Sequence, residues 1–159
     1  MIRISGNYTF EASREEVWPR IFDPGSMLSL IPGCEKMELI GEDEYFGQIH
    51  LGVASISGTY ETYVRVIESD PPRYCCMKVQ IEGTSGVIQG QAVFSLEAMD
   101  QSSVLHYEAD AMITGALSKL NPRFIEGTVH ALIQLGLARL NKQLRAKTES
   151  DYQSTSLSS

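Results

Sequence analysis

The sequence predicts an α+β domain in which a curved antiparallel sheet of about seven strands wraps around one long C-terminal helix, with two short helices after strand 1. Seven segments between residues 3 and 113 alternate apolar and polar side chains, as strands do. The segment from Ile125 to Leu144 instead repeats apolar residues every three or four positions, as an amphipathic helix does. Strands in series followed by a helix are typical of α+β architecture.

Two short helices are predicted after the first strand, which runs from Arg3 to Phe10. The stretch Ser13-Arg14-Glu15-Glu16 predicts a capping box at the start of the first helix. Pro19 requires this helix to be short or kinked, because proline removes a backbone hydrogen bond. Asp23-Pro24-Gly25 ends it, and Pro32-Gly33 ends a second helix that carries Met27, Leu28, Leu30 and Ile31.

Six further strands are predicted at residues 35–40, 45–53, 56–67, 74–82, 87–97 and 103–113. Asp70-Pro71-Pro72 predicts a turn between two strands, because two prolines cannot donate to a sheet ladder. The last strand alternates most clearly: its odd positions are apolar or small, while the even positions carry His106, Glu108 and Asp110. One face of the sheet is therefore predicted to be buried and the other solvated.

The final helix is predicted to begin with Asn121 as N-cap and Pro122 in the first helical position. Within its apolar stripe, Gly136 costs about 1 kcal/mol of helix stability relative to alanine. It therefore indicates either close approach of another backbone or room for a ligand. After the helix the sequence is polar and rich in serine, which predicts a domain over residues 1–146 and a disordered polar tail over 147–159.

Composition and charge exclude several function classes. The net charge of −7 argues against nucleic-acid binding and against simple electrostatic docking on anionic lipid. Three cysteines, two of them adjacent (Cys75 and Cys76), make a poor disulfide framework and favour the cytoplasm. No signal peptide is predicted, and no stretch approaches the roughly 18 consecutive apolar residues of a membrane span.

The predicted buried face of the sheet mixes large with small side chains, the small ones being Gly47, Gly58, Gly90, Ala92, Ala109 and Ala111. They indicate either an apolar pocket that the helix does not fill or close packing of helix on sheet. Trp18 and Phe22 are equally suited to gating such a pocket and to core packing. The predicted pocket is lined by Trp18, Phe22, Leu28, Ile31, Tyr45, Ile49, Tyr60, Phe94, Tyr107, Ala109, Ile125, Val129, Leu132 and Ile133.

Residues able to carry out chemistry are sparse. Strand parity places His50 and His106 opposite the apolar face, and His130 lies beside the helical stripe. No group of residues has the spacing of a zinc site, so neither a metal nor a cofactor is predicted. Cys34 would be reactive only if its thiolate were stabilised, and a small buried residue is the simpler interpretation. An enzyme would need an acid or base inside the pocket, and Lys78 is the main undecided side chain.

The most distinctive motif of the sequence is Ile31-Pro32-Gly33-Cys34-Glu35. This motif resembles the CoxG family of carbon monoxide dehydrogenase subunits, which belongs to the START/Bet v 1-like (SRPBCC) superfamily. The likeness extends over nearly the whole chain except the tail, through Ser5 to Phe10, Glu16-Val17-Trp18, Asp23-Pro24, Gly52-Val53, Gly58, Asp70-Pro71-Pro72, Gly86 to Gly90, Tyr107 to Ala111, Gly115 to Leu120 and Arg123 to Gly127.

The resemblance implies a helix-grip fold and a non-catalytic accessory protein. It implies binding of a lipid or a quinone-like molecule, and a molybdenum-containing CO dehydrogenase or a related oxidoreductase as partner. Some members carry a C-terminal membrane-binding helix, whereas residues 147–159 are short and polar, so a generic hydrophobic ligand is the broader expectation. The expected location is the cytoplasm, with a peripheral position at the inner face of the membrane left open. The alternative is a cyclase or hydrolase acting on a hydrophobic substrate in the same pocket.

Overall fold

The computed structural model describes residues 1–52 and 54–157, with side chains described for residues 1–52 and 55–147. These residues form seven strands, three α-helices and two 3₁₀ turns, Ala54–Ile56 and Gly115–Lys119. In chain order the main elements are β1 (Ile2–Phe10), α1 (Arg14–Phe22), α2 (Pro24–Leu30), β2 (Cys34–Gly41), β3 (Glu44–Leu51), β4 (Gly58–Asp70), β5 (Tyr74–Gly83), β6 (Gly86–Met99), β7 (Ser102–Thr114) and α3 (Pro122–Leu157).

The seven strands form one antiparallel sheet in the order β1-β7-β6-β5-β4-β3-β2. Chain neighbours are sheet neighbours from β2 to β7, and β1 closes against β7. The register aligns apolar residues of successive strands on one face, for example Val66, Met77, Ala92, Ala109 and Ile4. We call this the inner face, because α3 packs against it. The predicted fold class is confirmed.

Helix α3 covers the free edge of β1 as well as packing on the sheet. Its side chains hydrogen-bond to backbone groups that are four residues apart along this edge. Glu126 Oε1 accepts from Arg3 N (3.0 Å), Gln134 Nε2 donates to Asn7 O (3.2 Å), and Asn141 Oδ1 accepts from Glu11 N (2.9 Å). Four strand residues span about 13 Å, and seven or eight helical residues span about 10–12 Å. The matching spacing lets one helix satisfy an edge that would otherwise stay unpaired.

The main core lies where α1, α2 and α3 meet β1, β6 and β7. Phe10, Val17, Leu96 and Leu140 are almost completely buried there. Trp18, Phe22 and Phe94 form a cluster of rings with centroids 4.9–5.9 Å apart. A smaller cluster of Ile56, Tyr60 and Leu117 closes the other end of the sheet.

The helix boundaries agree with the sequence analysis in part. Asn121 caps α3 as predicted, because its Oδ1 accepts from Arg123 N at 2.9 Å. The capping box predicted at Ser13 is wrong: the Ser13 side chain makes no capping hydrogen bond, and its backbone oxygen accepts from Glu16 N instead. Helix α1 contains Pro19 and is only nine residues long.

Helix α3 continues to Leu157, beyond the boundary predicted at residue 146. No glycine or proline follows Gly136 before Leu157, so nothing in the backbone chemistry ends the helix earlier. Residues 158 and 159 of the predicted tail lie outside the described part of the chain, as does Val53 of the third predicted strand. The division into a domain and a tail stays a prediction.

Candidate functional site

The inner face of the central strands is apolar and only half-buried. Helix α3 lies mainly against β1, with lesser contacts to α1 and α2, and so covers the sheet from one side. Several inner side chains of β4 to β7 stay partly accessible: Val64, Val66, Met77, Val79, Ile81, Ala92 and Ala109. Val129, Leu132 and Ile133 of α3 are also half-buried. We call the partly accessible apolar surface that these two sets of residues form the cleft.

Three buried tyrosines on the inner face form hydrogen bonds to α1, to the first 3₁₀ turn and to α3. Tyr45 donates its hydroxyl to Phe22 O at the end of α1 (2.9 Å), and Tyr60 donates to Ile56 O in the first 3₁₀ turn (2.7 Å). The Tyr107 hydroxyl lies 3.0 Å from His130 Nδ1 and accepts from Gln134 Nε2, also at 3.0 Å. Each hydroxyl is therefore already engaged by the protein, and these residues anchor the covering elements.

Two of the predicted small residues lie where neighbouring atoms leave no space for a larger side chain. A Cβ added at Gly47 would lie 2.6 Å from Met37 Cε, and one added at Gly90 would collide with the backbone oxygen of Asp110. Gly58 instead has nothing within 4 Å, but its φ of +140° strains any other residue. These glycines are therefore explained without a ligand. Gly136 likewise reflects close backbone approach, since an added Cβ would be 3.3 Å from Leu30 O.

The structure separates the fourteen predicted lining residues into groups. Trp18, Phe22 and Phe94 pack together, while Ile125 is buried in the main core. Leu28 is 43% exposed. The tyrosines Tyr45, Tyr60 and Tyr107 are anchors. The half-buried members are Ile31, Ile49, Ala109, Val129, Leu132 and Ile133. Their assignment to a ligand pocket stays a prediction.

The predicted lining lacks most of the inner-face residues of β4 and β5. Val64, Met77, Val79 and Ile81 belong to this set, as does the buried Thr62. The signal was present, because the even positions of β4 and the odd positions of β5 alternate with polar residues. Pairing Val64 with Val79 puts the two series on one face.

The inner face carries no charge over the paired registers of β3 to β7: none of its inward positions is Asp, Glu, His, Lys or Arg. Lys78, which the sequence left undecided, is exposed and in register with Arg65 and Gln91 on the outer face. His50 and His106 are also on the outer face, beside Thr59 and Glu97.

The two cysteines nearest the inner face are poor nucleophiles. Cys75 is fully buried, and burial raises the pKa of its thiol to about 11. Cys34 is half-buried, its Sγ donates to Lys36 O at 3.3 Å, and burial likewise raises its pKa. Both side chains therefore stay neutral thiols at physiological pH, and a neutral thiol is a weak nucleophile.

The outer face has a different character. A depression of about 970 Å³ lies over its central strands, lined by polar side chains such as Lys78, Gln91 and Asp110 and by apolar ones such as Val93 and Met112. This mixed and partly charged surface does not match the predicted apolar pocket, which requires the inner face. Within residues 1–52 and 54–157, no three His, Cys, Asp or Glu side chains converge to hold a metal ion. Over that same part of the chain, no helix has the length and apolarity to cross a membrane.

Comparisons with known proteins agree with this architecture. The family model of the carbon monoxide dehydrogenase subunit CoxG matches residues 6–145. A conserved protein from Geobacillus kaustophilus is similar at 27% identity and a TM-score of 0.87, with 91% of this chain and 96% of that one covered.

More distant structures share the fold. A START superfamily protein from Mycobacterium smegmatis is 13% identical with a TM-score of 0.63, covering 93% of this chain and 97% of its own. A protein from Chromobacterium violaceum is 13% identical with a TM-score of 0.67, covering 89% and 96%. The search of curated proteins found no match.

Proposed function

Because the chain belongs to the CoxG family of carbon monoxide dehydrogenase subunits and shares its fold with a START superfamily protein, we propose that it is a non-catalytic accessory protein that binds a hydrophobic ligand in the cleft. The ligand class is a lipid or a quinone-like molecule. The partner class is a molybdenum-containing CO dehydrogenase or a related oxidoreductase.

The cleft supports this proposal more than any other feature. Its inner-face side chains are apolar and uncharged, yet they keep partial exposure in the middle of the sheet. Leaving this surface exposed costs about 25 cal/mol per Å² of apolar area, and an apolar ligand would recover that free energy by covering it. The three tyrosine anchors hold α1, α3 and the first 3₁₀ turn around the cleft.

A cyclase or hydrolase is the second candidate, and one observation favours it. Tyr107 and His130 form a hydrogen-bonded pair of groups that could exchange a proton. However, the Tyr107 hydroxyl is held between His130 and Gln134, and His130 is exposed on α3. The pair therefore links helix to sheet, and the accessory role remains the better supported one.

Native mass spectrometry of gently purified protein tests the ligand. We expect a co-purifying lipid or isoprenoid quinone, and we expect Ala92→Leu to reduce its occupancy because the larger side chain enters the cleft. Val93→Leu is the matched control, since Val93 points to the outer face of the same strand. Equal occupancy in the two variants would place the ligand elsewhere, and a ligand-free wild type that also rejects added hydrophobic probes would contradict binding altogether.

Affinity purification from the native host tests the partner. We expect subunits of a molybdenum hydroxylase to be retained by the wild type. Retention by Ala92→Leu as well would show that docking does not depend on the ligand. Failure to retain any such protein, even after chemical cross-linking, would contradict the proposed association.

A further inference from the structure

Five buried residues with hydroxyl groups lie on the inner face, and four of them are satisfied by the protein. Tyr45, Tyr60 and Tyr107 make the hydrogen bonds described above, and Ser103 donates to Ala12 O at 2.9 Å. Thr62 differs: only 6% of the residue is exposed, and its Oγ1 finds no hydrogen-bond partner among the described residues.

An unpartnered buried hydroxyl is unfavourable for folding. It gives up its hydrogen bonds to water and receives none in return, a loss of about 1–3 kcal/mol. Valine has nearly the same shape and would avoid that loss, and valine already occupies the next two inner positions of β4, Val64 and Val66. A threonine at residue 62 is therefore better suited to a state in which its hydroxyl has a partner.

Thr62 has no polar side chain beside it in the register of the sheet. It pairs in register with Gly47 on one side and Ile81 on the other. Neither residue has a polar side chain. The Met37 side chain lies over Gly47, within 2.6 Å of where a Cβ would be. Met37 is half-buried on the edge strand β2, and a methionine side chain can change rotamer without disturbing the sheet. Its displacement would open the way to the Thr62 hydroxyl.

We propose that Thr62 Oγ1 is the polar contact of the cleft and selects a hydrophobic ligand that carries a carbonyl or hydroxyl oxygen. This inference rests on the proposed function, because it assigns the ligand chemistry of the same cleft. A neutral oxygen fits the site because the inner face offers no charge to balance an ionised headgroup. The rest of the ligand would lie on Val64, Val79 and Ile81.

The test compares two probes of the same ring size by equilibrium dialysis. The first is 2-methyl-1,4-naphthoquinone, which carries two carbonyl oxygens, and the second is 2-methylnaphthalene, which carries none. We expect Thr62→Val to weaken binding of the quinone about fivefold, as the loss of one hydrogen bond does, and to leave binding of the hydrocarbon within about twofold. Thr62→Ser retains the hydroxyl and is expected to keep the affinity for the quinone.

Thr9→Val is the control, because Thr9 is exposed on the outer side of β1. Urea unfolding of the ligand-free proteins completes the test, and Thr62→Val is expected to be at least as stable as the wild type. A less stable Thr62→Val protein, or equal effects on the two probes, would overturn the role of Thr62 and leave the proposed function standing. If neither probe binds the wild type, the role of Thr62 is overturned, and the proposed function then depends on whether native mass spectrometry finds a co-purifying lipid.

Discussion

Single side chains on the inner face hold the architecture in place. Tyr107 reaches from β7 to His130 and Gln134 of α3, and its ring lies directly over Gly6 of β1. A Cβ at Gly6 would be 2.5 Å from the Tyr107 hydroxyl oxygen, so the glycine and the tyrosine are needed together. Three neighbouring elements are therefore fixed through one aromatic residue.

Cys75 gives the stability of the protein a defined alkaline pH dependence. Burial raises the pKa of its thiol from 9.0 to about 11. Above pH 9 the unfolded chain loses this proton while the folded chain keeps it, so the free energy of unfolding falls as the pH rises from 9 to 11. We expect a loss of roughly 1–3 kcal/mol from this group.

Urea denaturation of the wild type and of Cys75→Ala between about pH 8 and pH 11 measures the contribution of Cys75. The variant is expected to be less stable at the lower pH, because it leaves a cavity, and the difference should narrow as the pH rises. A difference that stays constant across this pH range would contradict the assignment.

Among the elements, α3 contains two glycines in different surroundings. Gly127 has nothing within 4 Å of an added Cβ, whereas Gly136 faces Leu30 O at 3.3 Å. Both lie inside the helix, where glycine is less favourable than alanine. Only Gly136 therefore has a packing reason, namely the approach of the C-terminal segment of α2.

Substitution by alanine is expected to affect stability differently at the two glycines. We expect Gly127→Ala to raise the free energy of unfolding by about 0.5–1 kcal/mol. Gly136→Ala should gain less or destabilise the protein, because the new methyl group presses on the Leu30 carbonyl. Chemical denaturation at room temperature measures both, and an equal gain at the two positions would show that α3 does not pack closely against that segment.

In the whole molecule, helices cover the sheet on the side of β1, and the inner face of the central strands stays partly exposed. Helix α3 covers the edge of β1, and α1 and α2 complete the main core. On the inner face of β4 and β5, the side chains of Val64, Val66, Met77, Val79 and Ile81 remain half-buried. A ligand in the cleft would complete the packing, so ligand binding and global stability should be linked.

This linkage predicts the size of the stabilisation. A ligand that binds only the folded protein should raise the free energy of unfolding by about 2.7 kcal/mol when its free concentration is about 100 times Kd. Denaturation of the wild type with and without 2-methyl-1,4-naphthoquinone measures the effect. Ala92→Leu should gain much less at the same concentration, and a similar gain in both proteins would contradict binding in the cleft.

The order of the elements and the two faces of the sheet could be predicted from the sequence. Strand alternation and the stripe from Ile125 to Leu144 encode these, because the backbone fixes a side-chain period of about two in strands and about 3.6 in helices. The same parity placed His50 and His106 on the outer face. The motif Ile31-Pro32-Gly33-Cys34-Glu35 indicated the family.

The role of each inward residue could not be predicted from the sequence, because it depends on contacts between elements. Periodicity shows that Tyr45, Tyr60 and Tyr107 face inward, but the partners of their hydroxyls are 4 to 27 residues away along the chain. It likewise cannot tell an unpartnered Thr62 from a satisfied Ser103. Hydrogen bonding and close packing depend on distances between elements, which local sequence patterns do not contain. The cleft therefore emerges from where α3 lies on the sheet.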